Sequence, residues 1–238
     1  MYQKSFVNNT CEDCKSAKKS VFCELNTEDL GILTLSKNCN LYKKGQIVFF
    51  EGNYPDGLFC LREGKIKIYK TGPEGKEQII RLAKTGDVLG YRALISGEHY
   101  NATAATLEDS RVCFIRKEAI FNLLKTNSNF SLYLIKLLSK DLEDVENRLV
   151  NITQKPVRER LAEALIILKE TYGTESNTSV LNISLSREDL ANIVGTATET
   201  VIRLLADFRQ NGLISTKGKK IEILSLEGLI KAGNIKDV

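Results

Sequence analysis

The sequence carries a single histidine in 238 residues and no zinc-hydrolase motif, nucleophile elbow or phosphate-binding P-loop. No constellation for acid–base, nucleophilic or phosphoryl chemistry can be assembled from it, and an enzyme is not expected. It also lacks any uninterrupted apolar run near the roughly 18 to 20 residues of a membrane span. Its amino terminus, MYQKSFVNNTCEDCKSAKKS, has no apolar core of the kind a secretory signal needs. These absences point to a soluble, cytoplasmic chain without a membrane partner. Nor is either charge in large excess: the net +4 is shared by both halves, so a polyanionic partner can be argued only from local clustering. In a reducing compartment the six cysteines are expected as small buried residues, ligands or redox groups rather than structural disulfides.

What is present is enough for a packed core, with 42% hydrophobic residues. From about Leu41 to Ile115 short apolar–polar runs (IVFFEG, GLFCLREG, KIKIYKTG, EQIIRLA, RVCFIR) are punctuated by glycines at near-regular spacing. That pattern predicts an antiparallel β-roll or jelly roll, with GPEGKE at 72–77 as a hairpin tip. From Glu118 the period becomes helical. Ile135, Leu138, Leu142, Val145, Leu149 and Ile152 recur at alternating steps of three and four among charged neighbours. This narrow seam predicts a long helix that pairs with a second copy of the chain; the alternative is packing on its own domain. Pro156 interrupts the helix, VRERLAEALIILKETY forms another that ends at Gly173, residues 174–179 are a loop, and VLNISL is a short strand.

The stretch SREDLANIVGTATETVIRLLADF, residues 186–208, follows. Ser186 with Asp189 is a capping-box pattern that opens one helix; Gly195 permits a tight turn; Thr196 with Glu199 is a second cap signal. In the second helix Val201, Leu204, Leu205 and Phe208 turn inward, while Thr198, Glu199, Ile202, Arg203 and Arg209 face outward or flank that face. Helix, glycine turn and helix make a helix-turn-helix, whose second helix enters the major groove of DNA. Arg203 offers a planar fork to guanine O6 and N7, and Glu199, one turn earlier, can accept from the cytosine amine. GLISTKGKKIEIL reads as two strands about a Lys217–Lys220 turn, a basic wing for phosphates. The plainer reading of Glu199 and Arg203 is a surface ion pair.

Together these residues resemble the Crp/Fnr family of bacterial transcription regulators. The likeness runs from about Leu30 to Leu226, through KKGQIVFFEGNYPDGLFCLREGKIKIYKTGPEGKEQIIRLAKTGDVLGY, the long helix and LSREDLANIVGTATETVIRLLADFRQNGLI. The resemblance implies an α+β chain: a Cys-containing segment (1–29), a cyclic-nucleotide-binding-like β-roll (30–117), a dimerisation helix region (118–154) and a winged helix-turn-helix (155–238). It implies a homodimer on a palindromic double-stranded operator, in contact with RNA polymerase. By the same resemblance Glu199 and Arg203 read a TGA-like half-site core, Thr198 and Ile202 face the flanking bases, and Ser186, Arg187, Thr200, Lys217 and Lys219 meet phosphates. A ligand-binding module of the same roll that acts on a protein partner is the competing class.

The family's cyclic-nucleotide branch holds its ligand with a Gly-Glu pair and a later Arg-Ser. Here Tyr91 stands at the Glu position and Tyr100 with Asn101 near the Arg-Ser position, so tight cyclic AMP binding is not expected. Tyr91, Arg92 and Tyr100 then mark the effector pocket in which a signal would be sought. The other branch is oxygen-sensing, and the resemblance to it makes Cys11, Cys14, Cys23 and Cys113 the four thiolates of a 4Fe-4S cluster. A structural zinc at the same thiolates, or free thiols, are the alternatives. Two positions depart from that branch: the third cysteine follows after a longer gap, and Val145 replaces an acidic switch residue, so the seam should hold a dimer with or without a cofactor. Cys39 and Cys60 read as small buried residues, Cys60 being able to stand in for one ligand, and His99 as a solvent-facing loop residue.

Overall fold

The computed structural model describes residues 10–235. By its contacts the chain divides into two compact units: the chain up to Lys70 with Arg81–Leu142, and Thr71–Ile80 with Glu143 onward.

After a single 3-10 turn at Ala17–Lys19, helix α1 (Thr27–Ser36) leads into strands β1 (Lys37–Tyr42), β2 (Ile47–Phe49), β3 (Gly57–Glu63), β4 (Lys65–Thr71), β5 (Glu77–Lys84) and β6 (Val88–Leu89). Helix α2 (Tyr91–Ser96) is followed by β7 (Thr103–Thr106) and β8 (Ser110–Arg116). They form two antiparallel four-stranded sheets, ordered β1-β8-β3-β6 and β2-β7-β4-β5, which is the predicted roll. The alternation in KIKIYKT does what a period of two requires: Ile66 and Ile68 are buried while Lys65, Lys67 and Tyr69 are half-buried. The 72–77 tip closes as predicted, with the Gly75 N–H donating to the Gly72 carbonyl at 2.9 Å. Gly57 admits no side chain, because a Cβ there would sit 2.0 Å from the Ile115 carbonyl oxygen; the β3–β8 pairing depends on that close approach.

The helical region expected over 118–154 falls in two helices, α3 (Lys117–Thr126) and the long α4 (Ser128–Gln154). Asn127 separates them: its side-chain oxygen accepts from the Phe130 N–H at 3.0 Å, a helix cap, while its amide donates to Asp29 at 2.9 Å. Ile120 and Leu123 of α3, Phe130 and Leu134 of α4, Leu33 of α1 and Leu58 and Ile115 of the sheet form one buried cluster. Phe22 stacks on Phe130 with ring centres 5.9 Å apart.

The second unit contains α5 (Val157–Tyr172), α6 (Arg187–Val194), α7 (Thr198–Gln210), β9 (Ile214–Lys217), β10 (Lys220–Ile223) and α8 (Leu226–Ala232). Leu161, Leu165, Leu190, Val201, Phe208, Ile221 and Leu229 are buried within it. VLNISL keeps the predicted alternation, with Leu181, Ile183 and Leu185 buried and Asn182 and Ser184 exposed. It is not a strand, however, because its only ladder contacts are single bridges, Val180 to Glu222 and Leu181 to Thr174. The capping box is formed: Ser186 Oγ accepts from the Asp189 N–H at 2.9 Å and Asp189 accepts from the Ser186 N–H at 3.1 Å. Ser186→Ala is expected to lower unfolding stability by about 1 kcal/mol, read as an earlier chemical-denaturation midpoint at unchanged slope.

Candidate nucleic-acid interface

Helix α6 ends where Gly195 adopts φ +75° and donates its N–H to the Ala191 carbonyl at 2.8 Å. The Thr196 N–H reaches the same carbonyl at 3.1 Å, so Thr196 completes the end of α6 rather than capping α7. The cap position of α7 is Ala197, with no side-chain bond; the Thr196–Glu199 cap signal is corrected accordingly. Val201, Leu205 and Phe208 are buried and Leu204 is half-buried, which leaves Glu199, Ile202 and Arg203 exposed beside half-buried Thr198 and Thr200.

Glu199 and Arg203 are one helical turn apart, yet neither makes a side-chain hydrogen bond or ion pair with any described residue. The surface ion pair that was the plainer alternative is not formed. A free carboxylate and a free guanidinium, both on the outer face of a helix whose inner face is locked in the core, are suited to meeting a partner's polar edge.

The wing is as expected: β9 and β10 pair from Lys217↔Lys220 to Ile214↔Ile223, with Gly218 at φ +61° and Lys217 and Lys219 exposed. Arg187 Nη2 donates to the Gly218 carbonyl at 3.0 Å, while its Nη1 is buried without a hydrogen-bond partner. Burial, and then the neighbouring Arg209 charge, hold the Arg187 guanidinium below its ordinary pKa. Arg187 and Arg209 form a pair of neighbouring cations beside the wing. Arg209 is the member that spacing did not assign to phosphate; its outward position on the last turn of α7 was the available signal. The Ser186 hydroxyl donates to Asp189 Oδ2 at 2.6 Å.

Along α4, Ile135, Leu142, Val145, Leu149 and Ile152 are exposed, Leu149 at 63%, and Leu138 is half-buried against the first unit's core. A continuous apolar stripe open to water is what an unpartnered seam presents.

The residues marked for the effector pocket differ in burial. Tyr91 is buried; its O–H donates to the Asp141 carboxylate of α4 and it accepts from Arg81 Nη1 at 2.7 Å. Burial pushes its phenol above the ordinary tyrosine range. Arg92 points to solvent. Tyr100 is buried against Phe49, ring centres 4.2 Å apart, and burial pushes its phenol up to about 12. The position is a closed Arg81–Tyr91–Asp141 contact, two of whose members sequence spacing did not single out.

The predicted cluster ligands differ in their surroundings. Cys11 and Cys14 are buried, Cys23 is exposed, and Cys113 is joined in a disulfide to Cys39. Among the described residues no group of three or more His, Cys, Asp or Glu side chains could hold a metal ion. A disulfide sulfur is not a thiolate, so these residues in this arrangement do not fit a four-thiolate cluster or a zinc site. Cys39, expected as a small apolar residue, is instead bonded to Cys113, which strand register sets directly opposite it. Cys60 is buried as expected. His99 is exposed and lies over Tyr54, ring centres 3.7 Å apart.

Residues 40–127 match the model of the cyclic nucleotide-binding domain and residues 159–232 that of the Crp-like helix-turn-helix domain. The fumarate and nitrate reduction regulatory protein of Escherichia coli is 29% identical over 231 residues, covering 96% of this chain and 92% of that one. The transcriptional activator protein anr of Pseudomonas aeruginosa is 30% identical over 226 residues, covering 94% and 92%. A solved Crp/Fnr-family transcriptional regulator from Thermus thermophilus superposes with a TM-score of 0.70 at 24% identity, over 84% of this chain and all of that one. These relatives are regulators rather than enzymes, and no helix among the described residues is long and apolar enough to cross a membrane.

Proposed function

We propose, from the premise that the chain belongs to the Crp/Fnr family of DNA-binding transcription regulators on its Fnr-like side, that it acts as a homodimer reading a palindrome with TGA-like half-site cores. The observation that carries this reading is the unpaired Glu199 and Arg203 on the open face of α7. Arg203 takes the guanine of the core and Glu199 the cytosine amine on the opposite strand. Thr198 and Ile202 face the flanking bases, and Arg187 with Arg209, Thr200, Lys217 and Lys219 holds the backbone. The stripe on α4 joins the two copies, which sets the recognition helices at half-sites about one helical turn apart. The parts divide as a segment to residue 29, a sensory roll to 117, a dimerisation region to 154 and the DNA-binding domain beyond. RNA polymerase is the protein partner.

Redox control is part of the same reading, supported by the likeness to the fumarate and nitrate reduction regulator and by six cysteines placed in or before the roll. While bonded to Cys39, Cys113 offers no thiolate to an iron–sulfur cluster.

Titrating a labelled duplex that carries an inverted repeat of TGA cores, against a scrambled duplex, tests the reading. The specific duplex should bind at least about a thousandfold more tightly. Arg187→Ala should weaken both duplexes alike and reduce the slope of log affinity against log salt by about 1. Equal affinity for the two duplexes would remove the proposed sequence reading.

A further inference from the structure

Within the second unit, the end of α6 is closed by side chains from outside the helix-turn-helix. The last four carbonyls of an α-helix have no partner inside it. In α6 the Ala191 carbonyl is taken by the Gly195 and Thr196 N–H groups, but Asn192 and Ile193 are served from elsewhere. Gln78, at the start of β5, donates its side-chain amide to the Asn192 carbonyl. Arg148 of α4 donates from Nη2 to the Ile193 carbonyl at 2.8 Å and to the Ile79 carbonyl at 2.5 Å, and from Nη1 to the Ile80 carbonyl at 2.9 Å. One planar group thus ties α4 to the start of β5 and to the end of α6. Burial holds this guanidinium below the ordinary arginine pKa, and carbonyl dipoles, the negative end of α6 among them, compensate a cation so placed.

A second arginine grips the same motif from α5. Arg160 Nη1 donates to the Ile152 carbonyl in the last turn of α4 at 2.7 Å and to the Lys155 carbonyl beyond it at 3.3 Å, while Nη2 reaches the carbonyl of Gly195, the turn glycine, at 3.3 Å. Glu163, one turn along α5, accepts from Asn151 at 3.1 Å and from Lys155 at 2.8 Å. The end of α4 is therefore bound to the reading motif at two levels, Arg148 and Ile152. The same stretch of α4 carries the lower part of the proposed seam: Val145, Leu149 and Ile152 are exposed, and Arg148 stands immediately before Leu149, on the flank of the stripe. Residues that would meet a second copy and residues that grip the reading motif share about two helical turns.

We infer that Arg148 and Arg160, with Gln78, are positioning residues that hold the helix-turn-helix at one angle to the dimer seam and so set the half-site spacing that the dimer accepts. This rests on the proposed reading of a palindrome by a homodimer. The three residues act through α6. With its end carbonyls and the turn glycine clamped, α7 starts from a fixed point, and in a two-fold pair the separation and rotation between the two reading helices are then fixed as well. Two base pairs added between half-sites turn the second by about 70° and move it by about 7 Å. A clasped dimer cannot follow that change, whereas an unclasped one can pivot. Lysine does not replace Arg148 here: its donors sit on one nitrogen and cannot span the carbonyls that the guanidinium reaches with two.

The test uses the full chain and a series of labelled duplexes whose two inverted TGA cores are separated by spacers differing one base pair at a time, together with a duplex carrying a single core. The wild type should bind one spacer best and lose about a hundredfold in affinity two base pairs to either side, which is the gain that simultaneous engagement supplies. Arg148→Ala and Arg148→Lys should bind that spacer less tightly and vary by less than about tenfold across the series, while their affinity for the single core stays that of the wild type. Arg160→Lys should flatten the series likewise. Sedimentation and circular dichroism verify a folded dimer, and the lysine variants carry the test should the alanine unfold. Raising the salt weakens the wild type at every spacer and leaves its preference in place, so weaker binding alone does not imitate the result. A sharp spacer preference kept by the Arg148 or Arg160 variants, a loss equal at every spacer and at the single core, or a wild type that reads TGA cores at any spacing would each overturn the inference. A wild type that does not distinguish TGA cores from scrambled DNA sinks the DNA reading instead, and a spacer preference shared by wild type and variants sinks this inference alone.

Discussion

Glu199→Ala combined with Arg203→Ala is expected to erase the preference for the TGA-core palindrome while leaving a folded dimer that still binds DNA weakly. Both side chains are exposed and unpaired, so their removal should move stability by no more than about 0.5 kcal/mol. Each base contact that they supply is worth about 1–3 kcal/mol of discrimination. Together they account for about 2–6 kcal/mol per half-site, or roughly thirtyfold to ten-thousandfold in affinity. The residual binding is expected from Arg187, Arg209, Lys217 and Lys219, which are proposed to meet phosphates and so to read no sequence. Its salt dependence should match that of the wild type on scrambled DNA. Arg203→Lys separates charge from shape: it keeps the cation and loses the planar fork, so specific affinity should drop while the salt slope stays. The readout is fluorescence anisotropy on specific and scrambled duplexes, with sedimentation to verify the dimer. A double variant that still prefers the palindrome would mean that α7 is not the reading helix.

How much of this was open to a reader of the sequence depended on whether the determinant was local. The capping box at Ser186, the glycine turn at Gly195 and the outward face of α7 are set by residues within one or two turns of each other, and spacing found them. The second cap failed because the tight end of α6 took up Thr196, whose backbone N–H closes on the Ala191 carbonyl five residues back, so two local signals competed for one residue. Asn127 was missed for a similar reason. A lone asparagine within a helical pattern is ordinary until its side chain is seen to cap Phe130 and reach Asp29, which is 98 positions away. The largest errors came from register and long-range pairing. Nothing near Cys39 or Cys113 in the sequence reveals that they face each other across two strands 74 positions apart. Nor does the neighbourhood of Tyr91 disclose Arg81 and Asp141 as its partners. The resemblance gives Cys113 and Tyr91 roles as ligand and pocket residues; the contacts add Cys39, Arg81 and Asp141 as their partners.

Leu142→Glu combined with Leu149→Glu should convert the dimer to a monomer at micromolar concentration and, as a consequence, abolish tight operator binding. The two positions are 60% and 63% exposed in the single chain, so within one copy the carboxylates meet water and the fold has little to lose. In a paired seam the same side chains would enter the apolar strip between two helices, one pair of carboxylates at each of two levels, where an unpaired charge is strongly destabilising. Burying a leucine fully is worth about 1.5–3 kcal/mol, so the substitution removes four such contributions from the two-copy interface and adds the charge penalty. The effect on DNA follows from geometry rather than from any contact with it. Once one recognition helix of a dimer is seated, the second searches at an effective concentration in the millimolar range, which raises affinity by about a hundredfold to ten-thousandfold. A monomer forfeits all of it, although its own α7, with Glu199 and Arg203 intact, still prefers a single half-site over scrambled DNA. That pattern is the mirror image of the recognition-helix variant, which keeps the dimer and loses the sequence preference. Analytical ultracentrifugation decides the first part: a species that stays dimeric with both glutamates in place would show that the stripe is not the seam. Val145 strengthens the same point. Because the stripe there is apolar and exposed rather than acidic, the dimer should persist with the Cys39–Cys113 link open or closed.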